Sequence, residues 1–530
     1  MNKTKSNDVD VIVVGSGATG GWVCKTLTEA GHQVLLLEAG PAIDKNLLPE
    51  KWYQTGDQTG DGGDESFDSS RQHVQKNHPA YCAANHRLWI DDINHPYSVD
   101  NNHPFTWIRA RLEGGRSNLW GGQCWRLTEH EINGPNNDGN GIPWPLNYED
   151  LVPYYEQVEQ YQHLSGQIDN SPTFPNQIVN GQVDLTSHEH TLKESLQKRR
   201  GYHCLPVRTA SNSRKAYGDA GNWPRFSSVG STLSDALETG NLTIIHNAVV
   251  TELETSDDGQ QVQSVHYLDA NTGKESMLTA RYFILCASTI ESTRILLNST
   301  STKHPTGLGN GSGTLGRYLM DHLGYVAIGN VKPPSEQQQG VFFGGRQGLY
   351  LPHFHLNDNN RDFIRGYAMW TSLGRPMGEG LNAIISSIGE MLPYHHNGIT
   401  LSSHEVDKHG IPIPHIHCVL GENEKKMQAH QRRSLLQLSR IAGIELATEP
   451  SAAVLGAMVH EVGTARMGSD PATSYCNSYA QSWEVPNVFI PDGSCWSTSA
   501  FQNPTLTFMA ISVRCAMHVA KQLDREKGQV

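Results

Sequence analysis

No lysine- or arginine-rich run occurs in this chain of 530 residues, in which 41 Lys and Arg stand against 54 Asp and Glu, a net charge of −13. Nucleic-acid-binding proteins carry clustered positive charge, so we exclude that class. The nine cysteines are odd in number, scattered and without a single Cys-x-x-Cys pair. The sequence therefore predicts neither a dithiol motif nor a metal site, and it indicates a reducing compartment.

Long apolar runs are missing as well. None approaches the ~20 apolar residues that span a bilayer, so we expect no membrane segment in the chain itself. The N-terminal residues 1–8 are polar and lack the apolar stretch and cleavage site of a secretory signal, which predicts a cytoplasmic protein. With 37% apolar residues, the chain is long enough to bury a large core spread over roughly two to four domains.

The first motif that is present is a glycine-rich turn between a strand and a helix. Residues 9–14 are apolar strand formers, residues 22–30 are helical, and residues 33–37 form a second strand. The sequence GSGATG lies between the first strand and the helix. This order predicts a Rossmann-like βαβ unit that binds a dinucleotide. The residues of this unit leave open whether the dinucleotide is FAD or NAD.

Each glycine of the turn has its own physical task. We expect Gly15 to make the tight turn, Gly17 to let the backbone approach a pyrophosphate, and Gly20 to let the helix pack closely on the strand. Free N–H groups at the helix N-terminus would then face the phosphates. Glu38, at the end of the second strand, is placed to accept hydrogen bonds from an adenosine ribose.

Further segments carry a resemblance to a known family. In order along the chain they are GGRSNLWGG (114–122), ILCASTIESTR (284–294), HEVGTARMG (460–468), PDGS (491–494) and NPTLT (503–507). With the glycine turn at the N-terminus, they make the chain resemble the glucose-methanol-choline (GMC) oxidoreductases. The resemblance favours FAD as the dinucleotide.

The resemblance implies an α/β protein with a discontinuous, Rossmann-like FAD-binding domain interleaved with an α+β substrate domain. The FAD-binding domain is expected to comprise residues 8–150, 241–323 and 455–530. The substrate domain, with residues 151–240 and 324–454, is expected to carry an antiparallel sheet.

Strand-like runs within the second substrate segment agree with such a sheet. They cover residues 348–356, 364–370 and 383–388, separated by Asn, Asp and Gly turns. We expect these strands to form the floor of the substrate cavity and their polar and aromatic residues to face the substrate. The polar, glycine-rich residues 57–69 are predicted to be a solvated insertion.

The same resemblance assigns the catalytic pair. It places His460 as the base that accepts the hydroxyl proton while a hydride passes from the carbinol carbon to flavin N5. An unperturbed imidazole, with a pKa of about 6.5, is mostly neutral at physiological pH and can accept a proton. Asn503 matches a second family position, where an amide can bind the substrate oxygen but cannot titrate. Glu390 and Gln502 are further candidates for substrate contacts.

Additional cofactor-binding residues follow from the resemblance: Ser117, Asn118, Asp492, Gly493, Pro504 and Thr505. Pro504 is expected to open a helix at Thr505, because proline at the first helical position costs no needed donor. The helix N-terminus would point at the flavin and stabilise negative charge there. Leu119 stands where some family members tether the flavin through a histidine, so we expect noncovalent FAD.

The leading hypothesis is an FAD-dependent oxidoreductase that converts a secondary hydroxyl of a sugar or glycoside to a ketone, with C3 of a pyranoside as a candidate position. The segments WGGQCWRL (120–127) and SAFQNP (499–504) resemble most closely the corresponding segments of bacterial sugar, gluconate and glycoside-3 dehydrogenases and of glycoside 3-oxidases.

Two alternatives remain at this point. One is an oxidoreductase of a non-sugar alcohol, and the other is a flavin-binding, electron-carrying subunit without turnover of its own. The electron acceptor is oxygen, a quinone or a cytochrome, and the sequence does not choose among them.

Overall fold

The computed structural model of the protein describes residues 9–44, 69–168, 170–171, 174–200, 202–210, 226–332, 347–357, 361–377 and 380–528. Residues 57–68 of the predicted insertion lie outside this part of the chain. Within it, no helix is both long enough and apolar enough to cross a membrane.

Helices and strands alternate along much of the described chain. The α-helices are α1 (Ala18–Glu29), α2 (Glu129–Ile132), α3 (Gly134–Asp138), α4 (Tyr148–Gln162), α5 (Ser187–Arg200), α6 (Thr232–Glu238), α7 (Thr289–Asn298), α8 (Glu422–Ala442) and α9 (Thr505–Lys527). The strands of the first half are β1 (Val11–Val14), β2 (Val34–Leu37), β3 (Ser98–Val99), β4 (Leu205–Pro206), β5 (Leu242–Ile245), β6 (Ala248–Thr255), β7 (Val262–Asp269), β8 (Glu275–Thr279) and β9 (Tyr282–Leu285). Those of the second half are β10 (Arg317–Met320), β11 (Leu323–Asn330), β12 (Leu349–Leu351), β13 (Tyr367–Leu373), β14 (Ala383–Gly389), β15 (Gly398–Val406), β16 (Pro412–His417), β17 (Glu445–Leu446), β18 (Ser451–Ala452), β19 (Val462–Thr464) and β20 (Val488–Phe489).

A parallel sheet of order β20-β9-β1-β2-β5 forms the dinucleotide-binding half of the fold. Every residue of β1 and β2 is buried, as expected of strands covered on both faces. Val11 and Val13 face a core shared with α1, α6 and α9, whereas Ile12 and Val14 face the core on the other side of the sheet. The predicted βαβ unit is confirmed, although α1 begins at Ala18, earlier than expected, because the glycines of the turn enter its first turn.

An antiparallel sheet of order β17-β11-β14-β13-β12-β4, with β18 paired to β11, forms the second half. The three predicted strand runs appear in it as the adjacent strands β12, β13 and β14. Helix α8 covers one face of this sheet, where Leu435 and Leu438 share a core with Tyr367 and Met369. The opposite face carries Trp370 and is turned toward the large cavity described below.

Three elements of the predicted substrate domain contact elements of the predicted FAD-binding domain, and the domain boundaries stay a prediction. Strands β15 and β16 fall in the predicted substrate segment, yet they form a sheet with β10 and β3 of the predicted FAD-binding segments. Helix α6 precedes residue 241 but packs against α1. In both cases long-range pairing, which local sequence does not encode, decides the neighbour.

Candidate active site

A cavity of about 460 Å³ lies between the carboxyl ends of the parallel strands and the antiparallel sheet. This volume is within the usual range of about 300–1,000 Å³ for ligand pockets. Residues directly after β1, β2, β9 and β20 line one end, and side chains from β11, β13 and β14 line the other. Ligands of open parallel sheets bind at this carboxyl edge.

The glycine turn shapes the first end of the cavity by close backbone contact. Gly15 has φ +96°, and a Cβ there would lie 2.5 Å from the carbonyl oxygen of Cys286. A Cβ on Gly20 would lie 1.8 Å from the carbonyl oxygen of Gly15. Gly17 lines the cavity, and no atom lies within 4 Å of a Cβ added there. As the N-cap residue of α1 it has no side chain that could accept a hydrogen bond from the helix N-terminus. The N–H groups of the first turn of α1 are therefore open to an anion.

Glu38 follows β2 and lines the cavity beside this turn. Its carboxylate accepts hydrogen bonds from the backbone N–H of Ser16 (3.1 Å) and of Gly40 (2.8 Å), and also from the Ser16 hydroxyl. Burial raises the pKa of Glu38, and these hydrogen bonds counteract part of that shift. The carboxylate is thus held rigidly at the edge where an adenosine ribose would lie.

Two arginines that the sequence analysis missed supply positive charge to the same region. Arg109 and Arg111 line the cavity, and the Arg109 guanidinium lies 3.9 Å from the ring centroid of Trp107. Burial lowers the pKa of Arg109 to about 10, so it stays cationic at neutral pH. Its Nε is buried and has no hydrogen-bond partner among the described residues. The open helix N-terminus at Gly17 fits the diphosphate of FAD, whereas the Arg109 guanidinium already donates to the carbonyl oxygen of His95 (2.7 Å) and lies 3.5 Å from Asp92.

The remaining predicted cofactor residues divide into two groups. Those that line the cavity are Ser117, Asp492, Gly493 and Thr505. Asn118 lies behind the wall, where its Nδ2 donates to the carbonyl oxygens of Glu113 (2.9 Å) and Gly115 (3.2 Å). Pro504 caps α9 instead of occupying its first helical position, and the helix N-terminus borders the cavity through Thr505.

His460 and Asn503 lie side by side in the cavity wall. The Nδ2 atom of Asn503 is 3.4 Å from Nε2 of His460, and Oδ1 of Asn503 has no hydrogen-bond partner among the described residues. Desolvation in the wall lowers the pKa of His460 well below its ordinary value, and the nearby His322 and Arg116 act in the same direction. His460 is therefore a neutral imidazole.

A second buried histidine determines which nitrogen of His460 carries its proton. His322 contacts the carbonyl oxygen of Ser499 through Nε2 (3.3 Å), and its Nδ1 is 2.9 Å from Nδ1 of His460. Burial lowers the pKa of His322 to about 4, so this imidazole is neutral as well. Because a carbonyl oxygen can only accept, His322 carries its proton on Nε2 and accepts at Nδ1. His460 must then donate from Nδ1, which leaves the lone pair of its Nε2 facing Asn503.

Asp321, next to His322 and directly after β10, holds the backbone of His460. Its carboxylate accepts hydrogen bonds from the N–H of Gly456 (2.6 Å) and of His460 (3.2 Å). Burial, with the neighbouring Glu461, raises the pKa of Asp321 to about 7. Neither Asp321 nor His322 stands out in the sequence, because one histidine among 26 and one aspartate outside a motif carry no signal.

The antiparallel sheet closes the cavity opposite the glycine turn with a mainly apolar wall: Val326, Trp370, Ile384, Ser386 and Ile388. Ser386 is central, since it pairs with Val326 on one side and Trp370 on the other. The expectation that many polar side chains of these strands face the substrate is therefore wrong for this wall. The wall offers only the Ser386 hydroxyl and the Trp370 indole, and its other three side chains are aliphatic.

Glu390 and Gln502 do not line the cavity, which corrects their proposed contact with substrate. The Glu390 carboxylate forms a buried ion pair with Arg365 (2.7 Å), and burial raises its pKa to about 7. Gln502 is fully buried and donates from Nε2 to Glu131 (2.9 Å). A charge or amide in the interior needs such a partner, and the partner decides where it points.

Comparison with known proteins places this geometry in context. Two family models described as GMC oxidoreductase match residues 9–324 and 393–512. The 2-methyl-1,2-propanediol dehydrogenase of Mycolicibacterium austroafricanum is 26% identical, with 98% of this chain and 97% of the relative covered. The fructose dehydrogenase large subunit of Gluconobacter japonicus is 25% identical, with 99% of both chains covered. A C-glycoside 3-oxidase of Arthrobacter globiformis is 34% identical over 22% of this chain and 23% of its own.

A solved structure shares the fold. The crystal structure of pyridoxine 4-oxidase from Mesorbium loti aligns with a TM-score of 0.61 at 16% sequence identity, covering 96% of this chain and 99% of that chain. The expected α/β architecture, with a parallel and an antiparallel sheet around one cavity, is thereby confirmed.

We predict that FAD is held without a covalent bond. Leu119 lines the cavity at the position that would carry a tethering histidine, and its side chain has no nucleophile. Acid precipitation followed by centrifugation should leave the yellow colour in the supernatant. Colour that stays with the pellet would contradict the prediction, and His78, the other histidine besides His460 in the described lining, would then be the residue to replace.

Proposed function

The chain belongs to the GMC oxidoreductase family of FAD-dependent enzymes that act on alcohols, and we propose that it oxidises a secondary hydroxyl of a sugar or glycoside to a ketone. The observation that carries this proposal is the pairing of His460 Nε2 with the Asn503 amide in the wall of the cavity. A hydroxyl oxygen within hydrogen-bond distance of both groups would place its carbinol carbon inside the cavity.

The two side chains then have different roles toward the substrate hydroxyl group. His460 accepts the hydroxyl proton at Nε2, and the N–H of Asn503 donates to the same oxygen while its negative charge develops. FAD, when bound, supplies the acceptor for the hydride that leaves the carbinol carbon. Loss of one proton and one hydride converts the secondary alcohol to a ketone.

His322 acts through His460 as a positioning residue. It holds the imidazole in the tautomer whose Nε2 can accept, and the Ser499 carbonyl fixes His322 in turn. Since carbonyl oxygens do not titrate, this arrangement keeps the same tautomer over the whole working pH range.

The mainly apolar wall formed by the antiparallel sheet favours a sugar ring that carries an apolar substituent. Trp370 and the aliphatic side chains offer an apolar surface to the C–H face of a pyranose or to an aglycone, and Ser386 can bind one hydroxyl. The names of the fructose dehydrogenase and C-glycoside 3-oxidase relatives agree with this substrate class. We keep C3 of a pyranoside as the position to test first.

A non-sugar alcohol is the second candidate, favoured by the same apolar wall and by the diol named in another relative. A flavin-binding subunit without turnover is the weaker alternative, because such a subunit has no need of a base and an amide in the cavity wall.

An anaerobic reduction screen tests the substrate class. The oxidised protein is mixed with glucose, gluconate and several aryl and alkyl glycosides beside choline, benzyl alcohol and a sterol, and flavin bleaching is followed. We expect glycosides with an apolar aglycone to reduce the flavin fastest. Reduction by the non-sugar alcohols alone would overturn the sugar assignment and leave the family assignment intact. Oxygen, a quinone or a cytochrome added afterwards identifies the acceptor.

His460→Ala should retain FAD but lose most of its turnover, since the glycine turn and Glu38 hold the cofactor. Removing a general base costs about 10²–10⁴-fold in rate, or about 3–5 kcal/mol of barrier. Because the pKa of His460 is lowered, the base stays neutral below pH 6.5, and the wild-type bleaching rate should stay level as the pH falls through 6.5. A near-normal rate in the variant would remove His460 from the mechanism.

His322→Phe keeps a ring in the buried site but removes the acceptor that orients His460. We expect the limiting rate of anaerobic flavin bleaching to fall by about 10–100-fold, because the orienting acceptor for the His460 tautomer is lost. The half-saturating substrate concentration and the FAD content should stay nearly unchanged. His430→Phe, which replaces a buried histidine bonded to Tyr367 away from the cavity, is the matched control. Equal limiting bleaching rates in the two variants would show that His322 has only a packing role.

A further inference from the structure

Three potential metal ligands come together on the far side of the segment that carries the catalytic amide. His130 and Glu131 belong to the short helix α2, and His353 follows β12. One ring nitrogen of each histidine and one carboxylate oxygen lie within 4.8 Å of one another. None of the three residues lines the large cavity, so the cluster is separate from the site described above.

The spacing inside the cluster is that of two ligands of one ion. Oε1 of Glu131 lies 3.6 Å from Nε2 of His353, which is too long for a hydrogen bond. Zinc binds histidine nitrogen and carboxylate oxygen at about 2.0–2.2 Å, and a tetrahedral arrangement then separates the two donor atoms by roughly 3.4 Å. The Glu131–His353 pair therefore needs only a small adjustment to hold the ion, and a ring nitrogen of His130 lies within 4.8 Å of both donor atoms.

The carboxylate of Glu131 has one satisfied and one unsatisfied oxygen. Oε2 accepts from the backbone N–H of Thr128 (2.9 Å), from the Thr128 hydroxyl (2.6 Å) and from Nε2 of Gln502 (2.9 Å). Oε1 is buried and has no hydrogen-bond partner in the described part of the chain. Glu131 is only 1% exposed, and a buried carboxylate oxygen without a partner is costly. A cation in front of Oε1 would remove that cost.

The second ligand, His353, is held rigidly by its neighbours. His353 is only 4% exposed, and its ring packs edge-to-face against His130 (centroids 5.4 Å apart) and against Phe501 (4.9 Å). His130 is exposed, which gives an ion a route from solvent to the two buried ligands.

We propose that His130, Glu131 and His353 bind a divalent transition metal of the zinc type, with solvent in the remaining coordination position. Two imidazoles and one carboxylate are the donor set of known three-ligand zinc sites, whereas magnesium and calcium require oxygen donors. The ion would join α2 to the segment after β12. Through the Glu131–Gln502 hydrogen bond it would also stabilise the loop that leads to Asn503.

Zinc titration of the full-length, FAD-bound protein without a histidine tag, after dialysis against a chelator, tests the site. Calorimetry should show one zinc ion per wild-type chain, and His130→Ala should weaken binding by about 100-fold or more because one of three protein ligands is lost. The exposed His404→Ala is the matched control and should bind as the wild type does. Zinc should raise the thermal midpoint of the wild type and of His404→Ala only.

A second variant keeps the test independent of any folding defect. Glu131→Gln preserves the side-chain shape and the acceptor for Thr128 and Gln502 but replaces the anionic ligand. Circular dichroism should match the wild type, while zinc affinity falls as in His130→Ala. Absence of zinc binding in the wild type, or equal affinity in the wild type and both ligand variants, would overturn the proposal. Neither result would bear on the alcohol oxidation proposed above.

Discussion

The close crossing of three backbone segments at the end of β1 is the constraint on which the rest of this structure depends. Gly15 turns against the carbonyl of Cys286, and Gly20 lies against the carbonyl of Gly15, so α1 starts directly over the carboxyl edge of the parallel sheet. A side chain at either glycine would push the helix away from the strands. The opening that results admits a dinucleotide because Glu38 and Asp492 reach the same edge from other strands of the sheet.

The end of the cavity that carries His460 depends on an ordered chain of hydrogen bonds. A backbone carbonyl at Ser499 determines the tautomer of His322, and His322 determines the tautomer of His460. The lone pair that can accept a proton is thus oriented by a group that does not titrate. Asp321 accepts a hydrogen bond from the backbone N–H of His460, so this residue is constrained through both its main chain and its ring.

Local patterns in the sequence were informative wherever one short segment carries the whole feature. The GSGATG turn predicted the βαβ unit, and the apolar runs predicted three neighbouring strands of the antiparallel sheet. The family resemblance placed His460 and Asn503, which the structure brings together. The same reasoning failed for Glu390 and Gln502, because a buried polar group points toward its partner, and the partners Arg365 and Glu131 lie 25 and 371 residues away in the sequence.

The sequence by itself determined the dinucleotide-binding unit, since that unit depends on residue types at short, fixed spacing, and the family resemblance singled out His460 and Asn503. Only the tertiary structure decided that the cavity wall formed by the antiparallel sheet is mainly apolar, because which face of β14 meets the cavity follows from sheet packing and not from composition. It also decided that His322 lies behind His460 and that His353 lies beside Glu131. Those contacts join segments more than a hundred residues apart, and their geometry exists only once the two sheets have packed around a common core.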